Sequence, residues 1–424
     1  MRIKLAYGKQ GLWIRPPATD VDVIEPAFVP GIPDGPSAIA QALRHPIGSP
    51  ALKELVRAQD EVAIVFSDIT RPTPNHVILP VLLGELAYVP RENIVLINAT
   101  GMHRANTPEE LRTMLGPGIV ENYRIVTHDA LDPSTLTWLG TSSFGTPIWV
   151  NSTYLRARVK ILTGFIEPHF FAGFSGGPKA VLPGVCGEAT VLGNHSARMI
   201  GHPRATWGVL DDNPIHQEIR EVAGLTRPAF IVNVALNKDK QITGVFAGDV
   251  SKAHESGAHF VRDTAMQPVA GHYDVVITTN GGYPLDINLY QTVKGMSAAA
   301  QIVKPAGSII AVSECREGIP EHGNYRRILQ MARTPEELLR LITRPGFAMF
   351  DQWEAQLQAL IQAKANVYVY SDGLTEEQIR QAMLLPCRDI EGTLAELLRL
   401  HGPRARVCVL PEGPQTIPFV AGNA

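Results

Sequence analysis

Short apolar runs rich in β-branched residues alternate with helix-patterned stretches along almost the whole chain, and this alternation restricts the fold to mostly parallel sheets covered by helices. In the first half the clearest strands are EVAIVFSD (61–68), NIVLINAT (93–100), YRIVTHDA (123–130) and RVKILTGFIEP (158–168), followed by RPAFIVNVALN (227–237). One helix fits from Thr73 to Tyr88. Another begins at Thr107, where Thr107, Pro108 and Glu110 supply an N-cap, an N1 proline and a capping-box acid. The TPEEL string at 334–338 is a second use of that cap, not a repeat.

After a helical stretch from Ser251 to Met266, PVAGHY breaks the pattern and a new series opens with YDVVITTNGG (273–282). The expected division is an N-terminal α/β domain over 1–268 and a smaller C-terminal α/β domain over 269–424, with the active site in a cleft between them. The second series runs through a helix near 288–302, GSIIAVSEC, helices around 325–344 and 351–363, NVYVYSDG, two more helices and RVCVLPEG. The tail after about residue 411 is free to return to the first domain.

With 424 residues, 45% of them hydrophobic and 19% charged, the chain has material for a large core in two domains. A net charge of −3 leaves no cationic excess for neutralising a nucleic-acid backbone. The opening MRIKLAYGKQGLWIRPP has no apolar signal region and no apolar run is long enough to span a bilayer, so a cytoplasmic protein is expected. The four cysteines are scattered, without a CxxC pair, and read as reduced thiols.

In open parallel sheets ligands bind beyond the carboxyl ends of the strands, and unusual residues collect there. After strand 61–68 comes Asp68-Ile69-Thr70-Arg71-Pro72-Thr73-Pro74, where Thr70, Thr73, Arg71 and the following helix start make an anion site, or else a rigid turn in which Asp68 and Arg71 pair. Strand 93–100 ends in Thr100-Gly101-Met102-His103-Arg104, placing an imidazole at the strand tip, where it can exchange protons near neutral pH. The richest segment is GFIEPHFFAGFSGGPKAVLPG (164–184): Gly176 and Gly177 let backbone approach a ligand, four phenylalanines form an apolar wall, and His169 and Lys179 stand within it. It is not a Walker A loop, because Gly-Pro-Lys-Ala replaces Gly-Lys-Ser/Thr. Gly193-Asn194-His195-Ser196 follows. His103, His169 and His195 could be direct ligands of one metal, as in a metal-dependent hydrolase or isomerase, although their spacing fits no zinc signature. In the second domain Tyr290, Gln291 and Lys294 share a helix face, either as a substrate-binding set or as a solvated surface.

The strings SDITRPTP, ATGMHR, GFIEPHFFAGFSGGPKAVLPG, GNHS and YQTVKG, in this order and spacing, resemble the nickel-dependent lactate racemase family over most of the chain. The resemblance implies a 2-hydroxyacid racemase or epimerase holding a nickel pincer nucleotide, nickel pyridinium-3,5-bisthiocarboxylic acid mononucleotide, tethered through a lysine. It implies that Lys179 is the tether, that His195 is the one protein ligand to nickel, and that His103 and His169 are the acid/base pair. Asp68 and Arg71 match polar positions around the cofactor, with Arg71, Tyr290, Gln291, Lys294 and Trp353 toward the substrate. The implied chemistry is hydride removal from C2 to the cofactor while a histidine takes the hydroxyl proton, then return of the hydride to the opposite face. Cofactor-building proteins are the implied partners. Pro178 departs from the basic residue expected before the tethering lysine, leaving the lysine itself in place.

Overall fold

The computed structural model describes residues 1–17 and 20–421, which form two compact units. One comprises Phe28–His195 and Arg204–Arg262; the other comprises Met1–Ala27, Ser196–Pro203 and Asp263–Ala424. They are termed the N-terminal and C-terminal units.

The N-terminal unit is built on a six-stranded sheet in the order Ile242–Gly248, Phe230–Leu236, Val159–Phe165, Val62–Ser67, Ile94–Ala99, Arg124–Thr127. Five strands are parallel, and Ile242–Gly248 runs antiparallel at one edge. The central strands are apolar at nearly every position because both faces are covered, as expected where crossover helices lie on a parallel sheet. Ile64, Phe66, Leu96, Ile161 and Val232 pack with Ile78, Leu79 and Leu82 of the helix Asn75–Glu85. From Val62–Ser67 the chain steps to Ile94–Ala99 on one side and later returns to Val159–Phe165 on the other. That reversal brings the loops after these three strands to one place, the switch point where open α/β sheets bind ligands.

The C-terminal unit holds a six-stranded parallel sheet in the order Leu385–Pro386, Asn366–Tyr370, Val303–Val312, Tyr273–Thr279, Val407–Leu410, Val21–Val23. A single cut at 268/269 therefore does not describe the units. Val21–Val23 is the edge strand beside Val407–Leu410, and Ile3, Leu5, Tyr7 and Ile14 of the first hairpin lie in the core of the same unit. The expected return of the tail to the first domain is also corrected. Ile417–Val420 pairs in parallel with Met266–Val269, where the sequence pattern had indicated only a break, so the tail stays with the C-terminal unit. The strand runs named from the sequence lie where the alternation places them, and both TPEEL segments cap helices: Thr107 forms a full capping box with Glu110, while Thr334 only accepts from the Glu337 N–H. The antiparallel hairpin of Leu136–Thr141 and Pro147–Asn151 was not anticipated.

A chain beginning at Phe28 loses that edge strand and four core side chains. We expect such a truncation to be aggregated or insoluble, whereas the full chain elutes as a defined species on size exclusion.

Candidate active site

Asp68, at the end of Val62–Ser67, is 3% exposed and organises the first loop. Its Oδ1 accepts from the Thr70 N–H at 2.9 Å and from the Thr70 hydroxyl at 2.5 Å, and its Oδ2 lies 2.7 Å from Nδ1 of His103. Burial alone would raise the Asp68 carboxyl, but the His103 hydrogen bond and charge, the Arg71 charge and the Thr70 hydroxyl outweigh it and hold the group below its usual range. Asp68 is thus an anion, and an anion only accepts. The His103 proton must sit on Nδ1, which leaves Nε2 as the basic nitrogen of the neutral ring. In this turn Asp68 binds His103 and Thr70 directly, while Arg71 acts on it through charge.

His169 is oriented in the opposite sense. The Ala172 N–H donates to His169 Nδ1 at 3.3 Å, so the proton of its neutral ring sits on Nε2. His103 thereby presents a basic Nε2 and His169 an Nε2–H donor.

Phe171, 3% exposed, gathers the remaining groups. Its ring centroid lies 4.5 Å from that of His169 and 4.9 Å from that of His195, both edge-on, and the Lys179 ammonium position is 5.7 Å from it. His195 ends the short helix Glu188–Asn194 and is 4% exposed. Burial first, and the Lys179 charge second, push its pKa down to about 3, so the imidazole is neutral and able to donate a lone pair to a metal. Lys179 is partly buried in the turn Gly177–Ala180. Burial and the Arg71 charge, against Glu167, bring its pKa down to about 7, which makes its amine nucleophilic at neutral pH. Because the Arg71 charge acts on both Asp68 and Lys179, the first and third loops share one electrostatic site.

Gly176 and Gly177 have φ of 76° and 51°. A Cβ on Gly176 would meet Asn233 Oδ1 at 2.7 Å, and one on Gly177 would meet the His254 ring at 2.6 Å. These glycines are thus required by packing beneath the loop, which the sequence had suggested only as room for a ligand. Asn233, inside the apolar strand Phe230–Leu236, accepts from the Gly177 N–H at 2.6 Å; His254 Nε2 lies 2.9 Å from the Ser175 carbonyl and donates to it. Sequence reasoning missed both supports, although one asparagine amid FIVNVAL was the available signal.

In the C-terminal unit, Lys294 donates to Gln291 Oε1 at 2.9 Å on the helix Leu289–Ala300. The Trp353 indole N–H donates to the Tyr290 hydroxyl at 3.3 Å, and Tyr290 stacks edge-on against Tyr325 with centroids 5.3 Å apart. The four expected substrate residues of this unit thus form two hydrogen-bonded pairs, both built on the helix Leu289–Ala300. A metal held directly by His103, His169 and His195 needs converging ligands, and among the described residues no three His, Cys, Asp or Glu side chains form such a group.

The lactate racemase N-terminal domain family matches residues 7–208, and the lactate racemase C-terminal domain family matches residues 269–417. The lactate racemase of Lactiplantibacillus plantarum is 40% identical over 377 residues, 88% of this chain and 89% of the relative. That of Thermoanaerobacterium thermosaccharolyticum is 36% identical over 382 residues, covering 89% of both. The structure of the lactate racemase apoprotein from T. thermosaccharolyticum superposes with a TM-score of 0.91 at 33% identity, covering 99% of this chain and 100% of that one. A Thermotoga maritima protein shares the fold at a TM-score of 0.67 and 17% identity, covering 93% of this chain and all of its own.

Asn233→Ala would leave the buried Gly177 N–H without its acceptor, at an expected cost of about 1–3 kcal/mol. Gly177→Ala would force a side chain onto the His254 ring at a left-handed φ and should be at least as destabilising. Urea unfolding midpoints of the two variants check both expectations.

Proposed function

The chain belongs to the lactate racemase family and is an isomerase, and from that premise we propose that it inverts C2 of lactate or a related 2-hydroxyacid using a nickel pincer nucleotide tethered to Lys179. The observation that carries this reading is the opposed protonation of two histidines. Inversion at a carbon bearing a hydroxyl needs a base for one enantiomer and an acid for the other. His103, its Nδ1 proton held by Asp68, presents Nε2 as the base, and His169, whose neutral ring accepts from the Ala172 N–H at Nδ1, presents an Nε2–H and serves as the acid in its imidazolium form.

The residues also fit the cofactor. An amine with a pKa near 7 is suited to covalent attachment, and a buried imidazole kept neutral is suited to be the protein's ligand to nickel. When bound, the cofactor would accept the C2 hydride and give it back. The chain does the rest. His103 takes the hydroxyl proton through Nε2, with Asp68 stabilising the imidazolium that results. His169, in its imidazolium form, returns a proton to the substrate oxygen and is left as neutral imidazole, and the roles exchange in the reverse reaction. Phe170 and Phe171, each 6% exposed or less, pack on the His169 ring and keep water from it. Arg71 and the loop turning at Gly176 and Gly177 are assigned to the cofactor. Lys294 with Gln291 is assigned to the substrate carboxylate, flanked by Tyr290 and Trp353. No helix among the described residues is long and apolar enough to cross a membrane. A cytoplasmic location beside the cofactor-building proteins completes the reading.

Protein co-produced with the cofactor-building enzymes should show, by intact mass spectrometry and metal analysis, an adduct on Lys179 and about one nickel per chain. Lys179→Ala should lose the adduct. Zinc in place of nickel, or no adduct on the unaltered chain, overturns the proposal. In the loaded enzyme His103→Asn and His169→Asn should each reduce kcat by roughly 10²–10⁴-fold for racemisation of either lactate enantiomer.

A further inference from the structure

The helix Gln352–Lys364 is buried at every residue from Gln352 to Ala359. Directly after Trp353 it carries Glu354, 1% exposed, and among the described residues neither carboxyl oxygen of Glu354 has a hydrogen-bond partner. A carboxyl so enclosed is costly unless a partner reaches it. The charge within its reach is that of Lys294, on the adjoining helix Leu289–Ala300, yet the Lys294 amine is turned onto the uncharged Gln291 carbonyl at 2.9 Å. Two acceptors therefore compete for one ammonium, one of them neutral and one able to ionise.

We propose, resting on the assignment of Lys294 to the substrate carboxylate, that Glu354 is a positioning residue: while protonated it leaves the Lys294 ammonium to Gln291 and substrate, and once ionised it draws that ammonium away. Burial, together with the Asp351 charge and against that of Lys294, pushes the Glu354 pKa up to about 8. The carboxyl is thus mainly neutral at pH 7 and charged well above pH 8. The groups facing it are Lys294 from Leu289–Ala300, Tyr325 from Tyr325–Leu329, whose phenol is raised by burial and then by the Glu354 charge, and Asp351 at the start of its own helix. Asp351 is itself raised, by burial against hydrogen bonds from the Asn324 N–H and the Tyr290 hydroxyl and the charge of His322. The charged groups on the other elements packed on this helix are Arg198 of Ala197–Ile200, Glu336, Glu337 and Arg340 of Pro335–Ile342 and Lys304 of Val303–Val312, and among the described residues none of these is a cause of the Glu354 shift.

Two measurements on the full chain and its Glu354→Gln variant decide the matter. In cofactor-loaded enzyme, KM for L-lactate should rise on the order of tenfold from about pH 7 to about pH 9.5, with kcat not following, because the binding-competent fraction falls as Glu354 ionises. In Glu354→Gln that rise should vanish; a parallel rise overturns the proposal. In cofactor-free protein, acetylation of Lys294 by acetic anhydride, read by peptide mass spectrometry, should have its midpoint at lower pH in Glu354→Gln, since the carboxylate that stabilises the ammonium is gone. Equal midpoints overturn the proposal. Should Glu354→Gln fail to fold, Glu354→Met fills similar volume without a titrating group and is expected to give the same two results. The acetylation needs neither cofactor nor substrate, so loaded protein that racemises no 2-hydroxyacid would refute the proposed function and leave the Glu354–Lys294 coupling to be decided by the mass spectra.

Discussion

The side-chain carbonyl of Asn233 holds the segment on which the site depends. It accepts from the Gly177 N–H inside an otherwise apolar strand and occupies the space a side chain at Gly176 would need. Ser175, two residues before Gly177, is held from the other side by His254. Between them these bonds fix the backbone from Ser175 to Gly177, and Lys179 follows within one short turn. Positioning therefore comes from two buried polar side chains on a strand and a helix, and strands and helices locate a site more tightly than a loop can.

The sheet topology explains why three loops distant in sequence act together. Val62–Ser67 lies between Ile94–Ala99 and Val159–Phe165, so the residues just after each strand emerge side by side. Asp68 and His103 meet across one of these gaps. Arg71 couples electrostatically to Lys179 across the other. The apolar strands do more than fill the core, because their register decides which loop residues meet.

Much of this was legible in the sequence because it is local. The strand ends, the capping boxes and the residues that follow each strand are properties of short windows, and the motif strings sit in those windows. What escaped was nonlocal or ran against the usual meaning of a residue. Val21–Val23 is three residues long, and nothing in its own pattern shows that its partner is Val407–Leu410, almost the whole chain away. Met266–Val269 is as short and contains Pro268, which argues against a strand unless it lies at an edge, as it does here beside Ile417–Val420. Glu354, Gln356 and Gln358 in QWEAQLQALIQAK are residue types usually found at the surface, yet every residue from Gln352 to Ala359 is buried, so here they are interior.

The basic groups around Lys179 raise a physical question of their own. Arg71 bears on Lys179, Lys179 bears on His195 and His216, and His254 bears on His216, each lowering the next. Mutual repulsion alone would make the protonation of every member depend on whether the Lys179 amine is charged. Burial nevertheless comes first among the causes at Lys179, His195, His216 and His254. Desolvation does not depend on the charge state of a neighbour. His195 therefore stays neutral whether the Lys179 amine is charged, neutral or covalently substituted, and its lone pair is available throughout. A ring nitrogen kept neutral mainly by repulsion would change its basicity with the charge of the lysine; one kept neutral mainly by burial changes far less.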